Sequence, residues 1–330
     1  MKVEKDIYAS TKDTRLGIEV TTQCNSDCHH CFARAGISAP SSLSLKLVKE
    51  IMAEGYTVGY RHLHLTGGEP LLWKGLFAAL DYGFRRGYET VFLNTNGTLL
   101  ADGSSRRLAA YDSLTLSVSL EGSEAFHNHL RGEGSYRRAV KGIEKALDAG
   151  IDLVIFTILC KSLLPSLPHF IEDLYNRFPR MAYLTLIQPI WRTDHSLTLS
   201  GEILDPEDFL QLVKAVSLLN LYGVRTHVQN DPLVNVVSKM IEMPWVPPVQ
   251  PFYRVGNLII KANRTIALSH ASEESFGEYK PGRIEKVLNS EDYQKAVAPD
   301  ESHCPRCKYT ELCSEHGMLR PSERYEDLYS

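Results

Sequence analysis

Apolar positions along this chain follow two alternating periods. The short runs Leu16–Val20, His62–Thr66, Thr90–Asn94, Leu114–Ser119, Asp152–Leu159 and Tyr183–Gln188 read as strands. Leu43–Glu54, Gly75–Arg86, Ser104–Ala110, Tyr136–Ala149, Leu167–Phe178 and Glu207–Leu221 carry apolar residues every three or four positions and read as helices. The last opens after Asp205-Pro206, an N-cap residue followed by a proline suited to the first turn. Six successive strand–helix units predict an α/β fold, a parallel sheet with its helices outside. In the second run His62 and His64 alternate with Leu63 and Leu65. The leucines suit the helix layer, which leaves both histidines facing inward.

The pattern breaks after Val224–Val228. Pro232, Pro244, Pro247, Pro248 and Pro251 interrupt a stretch that is neither strand nor long helix, so residues 230–252 read as a linker. Residues 1–229 then form one domain and 253–330 a small second one. In the latter, Arg254–Ala262 and Arg264–Leu268, joined around Asn263, read as a hairpin, and a short helix follows near Ile284–Val297.

Composition narrows the classes. The 330 residues are 43% hydrophobic and 23% charged, an ordinary globular balance with room for one large domain and a small one. A net charge of −4 supplies no general field that would draw nucleic acid or an anionic membrane. No apolar run is long enough to span a bilayer, and Met1-Lys2-Val3-Glu4-Lys5 lacks the apolar core of a signal peptide. Seven cysteines, grouped three and three with Cys160 alone, argue against a disulfide framework. The expectation is a cytoplasmic protein with reduced thiols, in which Cys160 is a small buried hydrophobe.

The two cysteine groups carry the candidate chemistry. Cys24, Cys28 and Cys31 stand at C-x₃-C-x₂-C spacing just after the first strand. Three thiolates can bind three irons of a four-iron cubane and leave the fourth iron open. A zinc knuckle is the alternative, and it requires a fourth ligand for which only His29 or His30 is near. Cys304, Cys307 and Cys313 form a second metal-like spacing, C-x₂-C-x₅-C, near the C-terminus.

Taken in order, the cysteine triplet, Gly67-Gly68-Glu69-Pro70 and Ser117-Val118-Ser119-Leu120-Glu121-Gly122 resemble the radical S-adenosylmethionine (radical SAM) superfamily. The segment Cys304–Cys313 looks like part of the SPASM/twitch extension of one branch of it. The resemblance implies a partial (β/α)6 TIM-like barrel over residues 1–229 and a small cysteine-rich α+β auxiliary-cluster domain over 253–330. It implies a [4Fe-4S] cluster on Cys24, Cys28 and Cys31 whose open iron chelates S-adenosylmethionine (SAM). One electron into the sulfonium then gives methionine and a 5′-deoxyadenosyl radical that takes hydrogen from a substrate.

The resemblance also implies roles residue by residue. His30 stands where the family usually has an aromatic residue beside adenine. Gly67, Gly68, Glu69 and Pro70 meet the methionine amino group, with glycines permitting close approach and the carboxylate steadying an ammonium. Asn94, Asn96, Ser117 and Ser119 offer polar groups inside the barrel, and Arg131 pairs with the SAM carboxylate. Glu121 and His64 are the lumen candidates for catalysis. Full SPASM domains hold two auxiliary clusters, but this chain reads Ser269-His270 and Ser314-Glu315-His316-Gly317 where relatives place further cysteines. One second cluster is then implied, with His270, His316 or a small ligand as fourth partner and a zinc site with His316 as the alternative.

The expected activity is a radical SAM oxidoreductase acting on a peptide or protein side chain, in the manner of a maturase. A step in cofactor or small-molecule biosynthesis is the alternative, and a non-catalytic zinc scaffold is the alternative of another class. Only 23 residues precede Cys24, which leaves no room for an N-terminal peptide-recognition domain; this weakens the peptide reading without removing it, since a separate protein can supply recognition. Flavodoxin or ferredoxin would donate electrons.

Overall fold

The computed structural model describes residues 11–31, 40–187, 201–229, 233–243, 245–246, 255–270 and 275–298. The cysteines and histidine expected to build the C-terminal metal site, Cys304, Cys307, Cys313 and His316, lie outside the described residues.

The predicted strands are all present, within a residue at each described end: β1 Arg15–Glu19, β2 His62–Thr66, β3 Thr90–Thr95, β4 Leu114–Ser119, β5 Asp152–Ile158 and β6 Tyr183–Ile187. Each is followed by helix: α1 Leu45–Thr57, α2 Leu76–Arg86, α3 Asp102–Leu108, α4 Glu124–Arg131 with α5 Ser135–Asp148, α6 Leu167–Arg177 and α7 Pro206–Leu221. All neighbours from β1 to β6 pair in parallel. The result is an unclosed parallel sheet wrapped by helices, the partial TIM-like barrel expected. Ser44 caps α1 by accepting from Leu47 N, and Asp205 and Asp208 form a reciprocal capping box on α7.

Strand alternation sorts the core. Leu16, Ile18, Leu63, Leu65, Leu93, Leu116, Val118, Leu153, Ile155, Leu184 and Leu186 are all buried on the helix side. The intervening positions, among them Glu19, His64, Phe92, Asn94, Ser117, Ser119 and Phe156, line the inner face in register with one another.

Four features were not read from sequence. Helix α4 has only two buried residues, His127 and Leu130, so its apolar period is too faint to see. Ser123, whose side chain caps it, and Gly132 just beyond it were the available signals. The strand β7 Thr226–Gln229 adds to β6 in parallel, and α8 Leu233–Met240 sits within the expected linker. The expected helix over Ile284–Val297 is two, α9 Arg283–Leu288 and α10 Glu291–Val297, because Ser290 caps the second by accepting from Tyr293 N.

The predicted hairpin exists as β8 Leu258–Ile260 and β9 Ile266–Ala267, antiparallel to each other. It is also part of the main sheet: β8 pairs in parallel with β1, giving the order β7-β6-β5-β4-β3-β2-β1-β8-β9. Further bonds fasten this region down. Tyr60 Oη donates to Gly256 O at 2.6 Å, and Glu54 accepts from Tyr279 Oη, Gly282 N and Ile284 N at 2.8, 3.0 and 2.6 Å. Among the described residues no helix is long and apolar enough to cross a membrane.

Candidate active site

The chain leaving β1 is gripped on both sides before it reaches the cysteines. Thr22 exchanges hydrogen bonds with Ser41, and Thr21 O and Gln23 O accept from Gly68 N and Glu69 N at 2.6 and 2.8 Å. A Cβ on Gly67 would fall 2.4 Å from Thr21 O, and one on Gly68 would fall 2.4 Å from Gln23 O. The close approach that requires glycine here is thus made by the chain's own backbone, where sequence reasoning expected a ligand.

Cys24, Cys28 and Cys31 follow as half-buried thiols outside any disulfide. Burial pushes the Cys24 and Cys28 thiols up, Cys28 to about 11; the Arg131 guanidinium pulls Cys28 back, while neighbouring cysteines push both further up. Among the described residues no three His, Cys, Asp or Glu side chains converge on a single ion. The thiolates of a cubane attach to separate irons, so such convergence is not needed. Asn96 Nδ2 lies 3.9 Å from Cys24 Sγ and Arg131 Nη1 lies 3.9 Å from Cys28 Sγ. Thiols on one loop, outside any disulfide and with N–H donors beside them, fit an iron–sulfur cluster.

Each donor is anchored by a buried carboxylate. Glu69 is fully buried and accepts from Leu71 N at 3.0 Å, Thr95 Oγ1 at 2.8 Å and Asn96 N at 2.8 Å. Burial raises its pKa, and those three bonds oppose the rise. The carboxylate expected to steady an ammonium is held in place by these three bonds. Glu121, also fully buried, lies 2.7 Å from Arg131 Nη2, accepts from Arg131 Nε at 2.8 Å, and takes Ile158 N on its other oxygen at 2.7 Å. Burial works against the guanidinium's charge, and Glu121 with Cys28 more than offsets it, so the Arg131 pKa is raised. Arg131 is therefore no solvated surface residue; its side chain is 14% exposed.

His30 stands beside this pair with Nδ1 buried and without a hydrogen-bond partner among the described residues. Burial first, then the Arg131 charge, holds its pKa well below the usual range. The loop is tied to the end of α4 by His29 N donating to Leu130 O at 3.0 Å.

Below the mouth, the inner face carries the second group of expected residues. His64 Nε2 bonds Asn94 Oδ1 at 2.9 Å, and Asn94 stands in register with Ser117. Burial and the neighbouring His270 push the His64 pKa down to about 3, so the ring is neutral. Ser117 is buried and Ser119 half-buried on the same face of β4. His270, expected as a ligand of the C-terminal site, packs edge to face with His64 at 5.3 Å, and its Nδ1 lies 3.7 Å from Glu19 Oε2. Phe92 and Phe156 continue the ring contacts at 5.6 and 5.9 Å. Glu121 and His64, paired as lumen candidates, occupy separate places, one under Arg131 and the other against Asn94.

Sequence reasoning missed Glu19, Asn25, Thr95 and Thr98. Glu19 is a lone acid at an inward position of an apolar strand, a readable signal. Asn25 Nδ2 donates to Thr98 Oγ1 at 2.8 Å, a contact between loops far apart in sequence that no local pattern announces.

Similarity to known proteins agrees with this geometry. Residues 18–164 match the profile of the Radical SAM superfamily. The mycofactocin maturase MftC of Mycolicibacterium smegmatis is 29% identical over 53% of this chain and 44% of its own length. An AdoMet-dependent heme synthase of Methanosarcina barkeri is 34% identical over 58% of this chain and 55% of its own. The chain spans about half the length of these curated relatives. Streptococcus suis SuiB, solved with the precursor peptide SuiA, shares the fold at a TM-score of 0.72 and 14% identity, covering 98% of this chain and 77% of that one. Cysteine loop, parallel sheet and sequence relatives agree that residues 18–164 are similar to the Radical SAM superfamily.

Proposed function

We propose that the chain is a radical SAM enzyme that takes hydrogen from a peptide or protein side chain. Cys24, Cys28 and Cys31 hold the [4Fe-4S] cluster, and SAM binds beside it. When bound, the cluster supplies one electron to the SAM sulfonium, and the 5′-deoxyadenosyl radical so released abstracts the hydrogen. The carrying observation is Arg131, held by the buried Glu121 with its free edge toward Cys28. A guanidinium fixed in that way offers a planar pair of donors to the SAM carboxylate. The Gly67-Gly68 backbone, Asn94, Ser117 and Ser119 complete the pocket wall, and His30 packs against adenine. His64 faces the substrate as a neutral imidazole.

The peptide reading rests on the SPASM-like spacing of Cys304, Cys307 and Cys313 and on the maturase among the relatives. These cysteines, with His316 or a small ligand, hold one auxiliary iron–sulfur cluster, or a structural zinc. The heme synthase relative favours a second reading, chemistry on a cofactor-sized substrate. A flavodoxin or ferredoxin supplies the electron in either case.

The test is 5′-deoxyadenosine formation under dithionite, with iron and sulfide analysis of anaerobically reconstituted protein. Wild type should form it and the Cys24/Cys28/Cys31→Ala variant should not. Cleavage surviving the triple change, or zinc alone in wild type, would overturn the proposal.

A further inference from the structure

Each of the two fully buried carboxylates of this site leads, through one other residue, to a cysteine. Glu69 fixes Asn96 by accepting its backbone N–H, and the Asn96 side chain reaches Cys24 Sγ. Glu121 fixes Arg131, whose Nη1 reaches Cys28 Sγ. Both glutamates follow the C-terminal end of a strand, β2 and β4, so the same device is built twice around one loop.

The orientation of the Asn96 amide is settled by its partners. Its Oδ1 accepts from Thr98 N at 3.0 Å and from Thr98 Oγ1 at 2.7 Å, which only the carbonyl end can do for the backbone N–H. Nδ2 must then face the cysteine loop, where it donates to Asn25 Oδ1 at 2.8 Å and Ser26 Oγ at 3.3 Å and lies against Cys24 Sγ. Asn25 Nδ2 closes the ring by donating to Thr98 Oγ1.

Resting on the cluster assignment above, we propose that Glu69 and Glu121 are positioning residues that aim Asn96 and Arg131 at the sulfurs of Cys24 and Cys28 and thereby set the cluster's reduction potential. Reduction adds negative charge to the cluster and its thiolates. An N–H group pointed at a ligating sulfur stabilises that charge, and hydrogen bonds to sulfur are among the levers that fix such potentials. The Arg131–Glu121 pair does this without net charge, because the carboxylate balances the guanidinium. Asn96 does it with a neutral amide. Asn96 and Arg131 thus act on the thiolates in addition to lining the SAM pocket.

The experiment is an EPR-monitored redox titration of the full-length, anaerobically reconstituted chain, following the cluster signal that changes when SAM is added. Asn96→Asp keeps the acceptor for Thr98 and removes the donor to Cys24. Thr98→Val adds no charge, leaves the cysteine loop's sequence intact, and removes both the 2.7 Å bond that is one of two holding the Asn96 carbonyl and the acceptor for Asn25 Nδ2, so the amide is held less firmly against Cys24. Both should retain wild-type iron and shift the midpoint potential to more negative values, Asn96→Asp by more. Should Asn96→Asp fail to hold the cluster, Thr98→Val alone decides. A SAM-responsive signal with an unmoved midpoint in Thr98→Val would overturn the inference while leaving the cluster assignment standing. A wild-type protein with no SAM-responsive signal would remove both.

Discussion

Replacing Glu121 with alanine tests how the Arg131 guanidinium is held. The change removes a fully buried carboxylate that accepts from Arg131 Nε and Ile158 N and balances a charge whose side chain is 14% exposed. Breaking one partner of a buried ion pair costs about 3–5 kcal/mol, because the remaining charge has neither water nor counter-ion. With an unfolding entropy of ~2.1 cal/mol/K per residue, 330 residues give ~0.7 kcal/mol/K. The predicted drop in Tm is therefore ~4–7 °C for cooperative unfolding. Differential scanning calorimetry of the metal-free protein measures this apart from any cluster. Replacing both partners, as Glu121→Leu with Arg131→Met, should recover most of the loss, since well-packed apolar groups often match a buried pair. A Tm within about 1 °C of wild type for Glu121→Ala, well under the cost of one broken pair, would refute the reasoning.

Acid should destabilise the fold through two histidines held neutral. His64 is pushed down to about 3 by burial and His270, and His127 to about 3 by burial and Arg131. The unfolded chain, with an ordinary histidine pKa of ~6.5, binds more protons between those values, so stability is complete above ~6.5 and falls by about 1.4 kcal/mol per pH unit for each histidine below it. Urea unfolding from pH 6.5 to 5 should show a shallower slope for His64→Phe than for wild type; equal slopes would contradict the assignment. Arg131→Ala should weaken SAM binding by about 2–5 kcal/mol with iron content unchanged, read by equilibrium dialysis, and an unaltered Kd would separate Arg131 from the SAM carboxylate. Gly68→Ala forces a Cβ to within 2.4 Å of Gln23 O, so the strand leading to Cys24 must move. Iron retention on reconstitution should fall, and full retention would show that the two segments separate freely.

The sheet was legible because a strand buried on both faces is a short apolar run bounded by turns, and six such runs stand apart along the chain. Helix α4 was not legible, because His127 is buried by bonding Glu121 N, a polar reason for burial that a search for apolar spacing passes over. The cysteine loop and Arg131 were readable as motifs, yet their support was not. Glu69 and Asn96 are 27 residues apart, and their bond exists only because β2 and β3 end side by side. The hairpin was readable by its local turn, whereas its parallel pairing with β1 joins segments 242 residues apart at Leu16 and Leu258. No local pattern carries such a pairing.

That last pairing has a consequence for how the molecule is made and divided. β1 is an inner strand only because β8 covers its outer edge. Until residues 258–260 have been synthesised, β1 presents an unpaired row of backbone donors and acceptors, and such an edge is open to pairing with another chain. The exposed strand is also the one that leads directly to Cys24. A chain shortened at Gln229 would retain every residue named at the cluster loop and still lose the strand that borders it. Its expected behaviour is edge-to-edge association, so dissection of this protein at the proline-rich segment would report on aggregation before it reported on chemistry.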